Sequence, residues 1–237
     1  MIMMRILNIQ KHFLFNRWLM LLACMVLFPY SLLAYEDIVT TFCNDIKVKV
    51  RVEGNTVSIL GPVDRNIGYI YIDQDGLELF RGGIYQGYYK ITSIAADAFK
   101  DCKNLTSFLS KASITSIGDR AFQGCNNLTY YEWTNNLKSI GSNAFSGCTS
   151  LSQVHFSDKL ESIGNSAFSG CTSLSQVHFP DKLESIGSNA FSCCTSLSKI
   201  HFPDNLKSIG SNAFQYCEAL REVELPKGLT SIESEAF

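Results

Sequence analysis

A surplus of charge of either sign is missing from this 237-residue chain: 20 Lys and Arg face 22 Asp and Glu, a net charge of −2. That balance removes the electrostatic case for a nucleic-acid partner or an anionic membrane surface, both of which need basic patches. Catalytic signatures are missing as well. There is no glycine-rich phosphate loop, no Gly-x-Ser-x-Gly nucleophile elbow and no His-Glu-x-x-His pair, so none of the chemistries those motifs support has a foundation in the sequence. Nine cysteines occur without one Cys-x-x-Cys spacing, which argues against a zinc site. Proline is scarce, and three of the five prolines, Pro180, Pro203 and Pro226, hold one position in a repeating frame, where each stops a strand.

What is present is a period. Ala-Phe pairs return every 23 residues at Ala98-Phe99, Ala121-Phe122, Ala144-Phe145, Ala167-Phe168, Ala190-Phe191, Ala213-Phe214 and Ala236-Phe237. One full unit reads Leu160-x-Ser162-Ile163-Gly164-x-x-Ala167-Phe168-x-x-Cys171-x-x-Leu174-x-x-Val177-x-Phe179. A strict period this short indicates a stacked solenoid. The apolar positions of one unit are too few to close a core, so each coil must bury them against its neighbours. The spacing Leu151-x-x-Val154-x-Phe156 is that of a leucine-rich repeat strand. Gly118, Gly141, Gly164, Gly187 and Gly210 follow the isoleucine of each unit, marking a turn or a close approach of the next coil. Ala95 and Glu233 stand at the same position, which speaks against an obligatory positive φ. Ser142-Asn143 and its counterparts suit a short turn or a single helical turn.

The run Ser-Ile-Gly-x-x-Ala-Phe-x-x-Cys-x-x-Leu-x-x-Val resembles the BspA-type leucine-rich repeat family over roughly Ile91 to Phe237. The resemblance implies a repeat solenoid, mostly β with short turns or single helical turns, carrying a parallel strand ladder in one elongated domain. It also implies a surface protein of a host-associated bacterium or mucosal protist, with adhesion to host proteins as the activity and no named ligand.

Ahead of the repeats the grammar changes twice. Arg5, Lys11 and Arg17 precede an apolar run from Trp18 to Ala34 and the acidic pair Glu36-Asp37. This pattern predicts a secretory signal peptide over 1–34, cleaved after Ala34. The alternatives are an uncleaved anchor, since the run sits at the lower limit for spanning a bilayer, and a lipoprotein box at Leu21-Leu22-Ala23-Cys24. Every one of these readings exports the repeats, and the expected location is secreted or cell surface. Residues 35–90 are expected to form a β-rich N-terminal cap, because a solenoid needs an end coil to keep its first core layer dry. Within it, the alternation Ile46 to Val52, the turn Glu53-Gly54-Asn55 and the segments Thr56 to Leu60 and Tyr69 to Ile72 read as strands. Residues 91–237 are the repeats, which stop partway through a unit at Phe237, so an exposed last core layer predicts self-association through that end.

Side chains alternate along each strand. With Val154 and Phe156 inward, Gln153 and His155 point out and stack with their counterparts about 4.8 Å apart. One outward column reads Leu109, Glu132, His155, His178, His201, Glu224, and its neighbour Ser107, Tyr130, Gln153, Gln176, Lys199, Glu222. From Tyr130 and Glu132 onward these columns are the candidate ligand-binding residues. Three histidines in line suggest metal binding or a surface whose charge changes between about pH 5 and 7. Zinc, however, needs ligands that converge tetrahedrally, and the plainer reading is one solvated histidine copied three times. Cys102, Cys125, Cys148, Cys171, Cys194 and Cys217 fill one repeat position, the mark of a buried core rung of unpaired thiols. Parallel in-register side chains are poorly oriented for a disulfide. Cys43 and Cys193 have no place in that rung. Tyr85, Tyr88 and Tyr89 in the cap suit either a sugar ring or packing against the first repeat.

Two functions remain: a non-catalytic recognition module for extracellular host or neighbouring-cell proteins, and a structural spacer. Neither requires a cofactor, a metal or nucleic acid, and membrane contact is expected only through an uncleaved leader or an anchor not present in this sequence.

Overall fold

The computed structural model describes residues 36–41, 46–73, 75–81, 84–132 and 135–237, with backbone alone at 36–41, 79–81 and 84–86. The leader expected over 1–34 and Cys43 lie outside the described residues.

The chain opens with β1 (Glu36–Thr41), β2 (Lys47–Glu53) and β3 (Thr56–Pro62). Strands β2 and β3 form an antiparallel hairpin around Gly54, whose φ of 60° is the left-handed conformation glycine adopts freely. Val48, Val50 and Val52 are buried while Lys47, Lys49 and Glu53 are exposed, the alternation of a half-buried strand. Next come β4 (Tyr69–Ile72), β5 (Gly76–Arg81) and the long β6 (Ile84–Ile94). Strand β6 pairs antiparallel with β5 and parallel with β3. It runs through residues 90 and 91, so one strand crosses the boundary expected between cap and repeats.

From there each coil contributes a two-residue Ser-Ile strand: β8 (Ser116–Ile117), β10 (Ser139–Ile140), β12 (Ser162–Ile163), β14 (Ser185–Ile186), β16 (Ser208–Ile209) and β17 (Ser231–Ile232). They extend the cap sheet in the order β6-β8-β10-β12-β14-β16-β17, all parallel and in register. On the opposite side lie β7 (Ser107–Ser110), β9 (Tyr130–Glu132), β11 (Gln153–His155), β13 (Gln176–His178) and β15 (Lys199–His201). The molecule is thus a parallel β-solenoid, and among the described residues it contains no helix. The Ser-Asn-Ala-Phe segments resolve as turns rather than helical turns.

Those turns are themselves hydrogen-bonded from coil to coil. The amides of Ser166, Phe168 and Gly170 donate to the carbonyls of Ser188, Ala190 and Ser192 in the next coil, each at 2.8 Å. The residue before each Ala-Phe pair is left-handed, as Asn143 (φ 57°), Ser166 (φ 55°) and Asn189 (φ 56°) illustrate. So is the residue before the ladder cysteine in the coils from Asp101 to Tyr216, Gly170 and Cys193 included. Left-handed residues turn alternate amides along the solenoid axis, which satisfies a backbone that would otherwise be buried unpaired. The glycine after isoleucine has no positive φ. A Cβ on Gly164 would stand 2.7 Å from the carbonyl carbon of Gly141 in the preceding coil, so close approach alone demands glycine there.

The core is a set of ladders. Phe99, Phe122, Phe145, Phe168, Phe191 and Phe214 are buried, and successive rings stack with centroids 5.0 to 5.4 Å apart and planes within 8°. The strand side supplies edge-on rings. Phe108 does so in the first coil, at the position later held by Val154, and Phe156, Phe179 and Phe202 do so two residues further on in the later coils. Each buried phenylalanine contributes on the order of 1.5–3 kcal/mol relative to exposure.

The cysteine rung is buried and unpaired, as the repeat position implied. Its thiols have a partner that the sequence did not reveal. The Cys171 Sγ donates to the carbonyl of Phe145 in the preceding coil at 3.2 Å, and Cys125, Cys148, Cys194 and Cys217 do the same one coil apart. Burial pushes the Cys125 thiol up to about 12 and Cys148, Cys171 and Cys194 far above the ordinary thiol value.

The N-terminal segment contacts the first coil. The Arg65 guanidinium donates to the carbonyls of Lys100 and Asp97, and Gly61 lets its backbone pass so close that a Cβ would overlap the Ala98 carbonyl oxygen.

Three outcomes follow from this packing. Phe168→Ala should cost about 3–5 kcal/mol by denaturant unfolding because a cavity remains, and an unchanged midpoint would refute the inward ladder. Cys193→Gly, which installs the residue found at Gly170, should raise stability by about 0.5–1 kcal/mol by relieving a left-handed L-residue. Because the folded state holds its thiol protons, the stability they confer is intact below the unfolded thiol pKa of 9. Each such thiol then withdraws about 1.4 kcal/mol per pH unit as pH rises above that value, and for Cys125 the loss continues to about pH 12. Urea midpoints should fall steeply between pH 9 and 11, and Cys125→Ala should flatten that slope.

Candidate functional site

The outward columns exist on the strand side. Gln153, Gln176 and Lys199 are paired in register, as are His155, His178 and His201, and all six are exposed while Val154, Val177 and Ile200 between them are buried. The β-branched inward residue anchors each strand and the alternation does the rest.

The columns do not run as one ladder. Among the described residues the strand side consists of two three-stranded sheets, β4-β7-β9 and β11-β13-β15. The change falls where the buried inward residue shifts from aromatic, Phe108 and Tyr131, to β-branched, Val154 onward. Tyr131 stacks on Phe145 with centroids 5.4 Å apart, so its ring takes a depth that valine does not need. Tyr130 and Glu132 therefore belong to the first sheet and Gln153 to His201 to the second. Glu222 and Glu224 are exposed, but the backbone there forms no strand, so the ladder ends at β15, and these two stand beyond it.

In the first sheet the columns begin earlier than the repeat period indicated. Tyr69 pairs with Ser107 and Ser107 with Tyr130, while Tyr71 pairs with Leu109 and Leu109 with Glu132. Tyr69 and Tyr71 thus head the two columns, and sequence reasoning missed them because the step from cap to first coil is 38 residues instead of 23. The signal that was available is the alternation Tyr-Ile-Tyr-Ile itself. Tyr69 is 51% and Tyr130 47% exposed, unusual for large rings on a rigid sheet. The Tyr130 hydroxyl donates to Glu132 Oε2 at 3.0 Å, which holds the ring and raises its pKa above the ordinary phenol value. Lys111 Nζ sits 6.0 Å from the Tyr71 ring centre, the outer limit of a cation–π contact.

Elsewhere, Tyr89 packs against the core, whereas Tyr88 is exposed and its ring covers Gly76. Of the Tyr85 side chain nothing is described. Among the described residues no group of three or more His, Cys, Asp or Glu is placed to hold a metal ion. The candidate side chains stand in columns one coil apart along the strand face.

Six copies of the BspA type leucine rich repeat region match this chain, over residues 88–167 and 138–237. No curated protein matches the sequence. Among solved structures, a leucine-rich repeat protein from Bacteroides ovatus ATCC 8483 is similar at 28% identity and a TM-score of 0.73, over 85% of this chain and 50% of that one. This chain therefore spans half the length of that protein. A leucine rich cell surface protein from Faecalibacterium prausnitzii A2-165 is 24% identical with a TM-score of 0.65, over 84% of this chain and 55% of that one. A leucine rich repeat protein from T. pallidum is 24% identical with a TM-score of 0.63, over 83% and 80% respectively. These last two share the fold. With the repeat frame, the solenoid and the family match in agreement, the chain belongs to the BspA-type leucine-rich repeat family.

Proposed function

We propose that this protein is an extracellular or cell-surface recognition module that binds host or neighbouring-cell proteins along its strand face, without catalysis. The observation that carries the reading is the set of outward columns on the two strand-side sheets, from Tyr69 and Tyr71 to Tyr130 and Glu132, and from Gln153 and His155 to Lys199 and His201. Their backbone is fixed by coil-to-coil pairing, so little conformational entropy is lost when a partner docks. Tyrosines at one end supply the large contact area that dominates interface energetics, and the Gln, His and Lys side chains at the other supply hydrogen-bonding variety. A neighbouring fold described as a leucine rich cell surface protein supports the location, as does the leader pattern from Arg5 to Ala34. The near-neutral charge balance supports a protein partner over nucleic acid. Columns spaced one coil apart give no convergent acid, base or nucleophile, which supports binding over catalysis.

A structural spacer is the second reading, and one observation favours it: Ser146 to Phe156 and Ser169 to Phe179 are the same eleven residues, as expected of coils multiplied for length. A pull-down against extracellular-matrix and mucosal proteins separates the two. The recognition reading expects capture of a defined protein that Glu132→Ala/His155→Ala/His178→Ala weakens about tenfold or more, and Tyr130→Ala by a similar factor, if these are interface anchors. Failure to capture any protein, or capture indifferent to all four substitutions, would favour the spacer.

A further inference from the structure

Within the outward histidine column, the imidazoles of His178 and His201 make a ring contact, with centroids 5.2 Å apart and planes inclined at 50°. The phenylalanines stacked behind them keep a similar separation with planes within 10° of parallel, so the tilt is not imposed by the coil repeat. Both histidines are exposed, and the pairing of β13 with β15 holds their backbones in register.

A neutral imidazole carries a lone pair in its ring plane and suits zinc, copper and nickel. With a ligand nitrogen about 2.0–2.1 Å from the metal, an imidazole centre stands roughly 3.2 Å from it. Two centres 5.2 Å apart lie within twice that reach, so one ion can bridge the two rings. Presenting the nitrogens to that ion requires rotation of exposed side chains, a motion of picoseconds to nanoseconds. We propose that His178 and His201 form a two-ligand binding site for a borderline divalent cation of the Zn(II), Ni(II) or Cu(II) class, with water in the remaining positions.

The site is open-sided, because no third His, Cys, Asp or Glu among the described residues joins it in a cage. It therefore differs from the closed tetrahedral zinc site whose geometry a flat ladder cannot supply. Lys199 lies two residues before His201 on the same face and is a like charge to the ion, which limits affinity. The register of the two strands does the opposite, since both ligands are held on neighbouring coils before the metal arrives.

The test is titration of Ni(II) into the full chain, followed by calorimetry and by the histidine ring-proton resonances, with no partner protein present. The expected result is saturable binding in the micromolar range that perturbs the His178 and His201 resonances. His178→Ala and His201→Ala should each weaken binding by about tenfold or more, as loss of one of two ligands requires. His155→Ala should change it by less than about threefold, and Lys199→Gln should tighten it through loss of the like charge. Melting curves of each variant establish that the solenoid is intact. Absence of saturation below millimolar Ni(II), or equal losses for all three histidine variants, would overturn the site.

Discussion

Coil-upon-coil stacking of one phenylalanine per turn is the interaction on which everything else rests. A 23-residue coil holds one such ring together with a cysteine, leucines and an isoleucine, and alone it would leave both faces of that layer in water. Only a copy above and a copy below remove it from solvent, so stability is a sum over interfaces between neighbours. The rings meet at 5.0 to 5.4 Å and nearly parallel. That separation is close to the spacing of paired strands, so the ring ladder and the outward columns of Gln153, Gln176 and Lys199 share one rise.

The turn edge shows how a coil this small accommodates so much buried backbone. Left-handed residues direct alternate amides to the next coil, while the ladder thiols reach back to the previous one. Cysteine fits the rung for two reasons: it is small and apolar enough to be buried, and it retains a weak donor for a carbonyl that would otherwise lean on one bond. Six thiols thus coexist unpaired in a protein proposed to be exported. Solvent is excluded from them, and burial holds them protonated and unreactive.

The strand side carries the variety that the core forbids. Its first sheet is aromatic, with Tyr69, Tyr71 and Tyr130 facing outward, and its second is imidazole and amide from Gln153 to His201. The division coincides with the change of the inward residue from Phe108 and Tyr131 to Val154, Val177 and Ile200. Among the described residues the outer strand surface is thus two chemically distinct platforms.

The sequence by itself determined the solenoid, the coil length, the inward ladders, the unpaired cysteine rung and the alternation that sends His155, His178 and His201 outward. All of these follow from a strict period combined with the two-residue repeat of a strand, and both are local properties. It did not disclose the Ser-Ile strands opposite, where two residues are too few to show any alternation, nor the turn-edge bonds, which join residues a full coil apart. Tyr69 and Tyr71 stayed hidden because the cap reaches the first coil after 38 residues instead of 23, so no period links them to Tyr130. The break after Glu132 and the 50° inclination between the His178 and His201 rings were likewise decided only in three dimensions, because a repeat pattern specifies which residues stack without specifying how they are oriented.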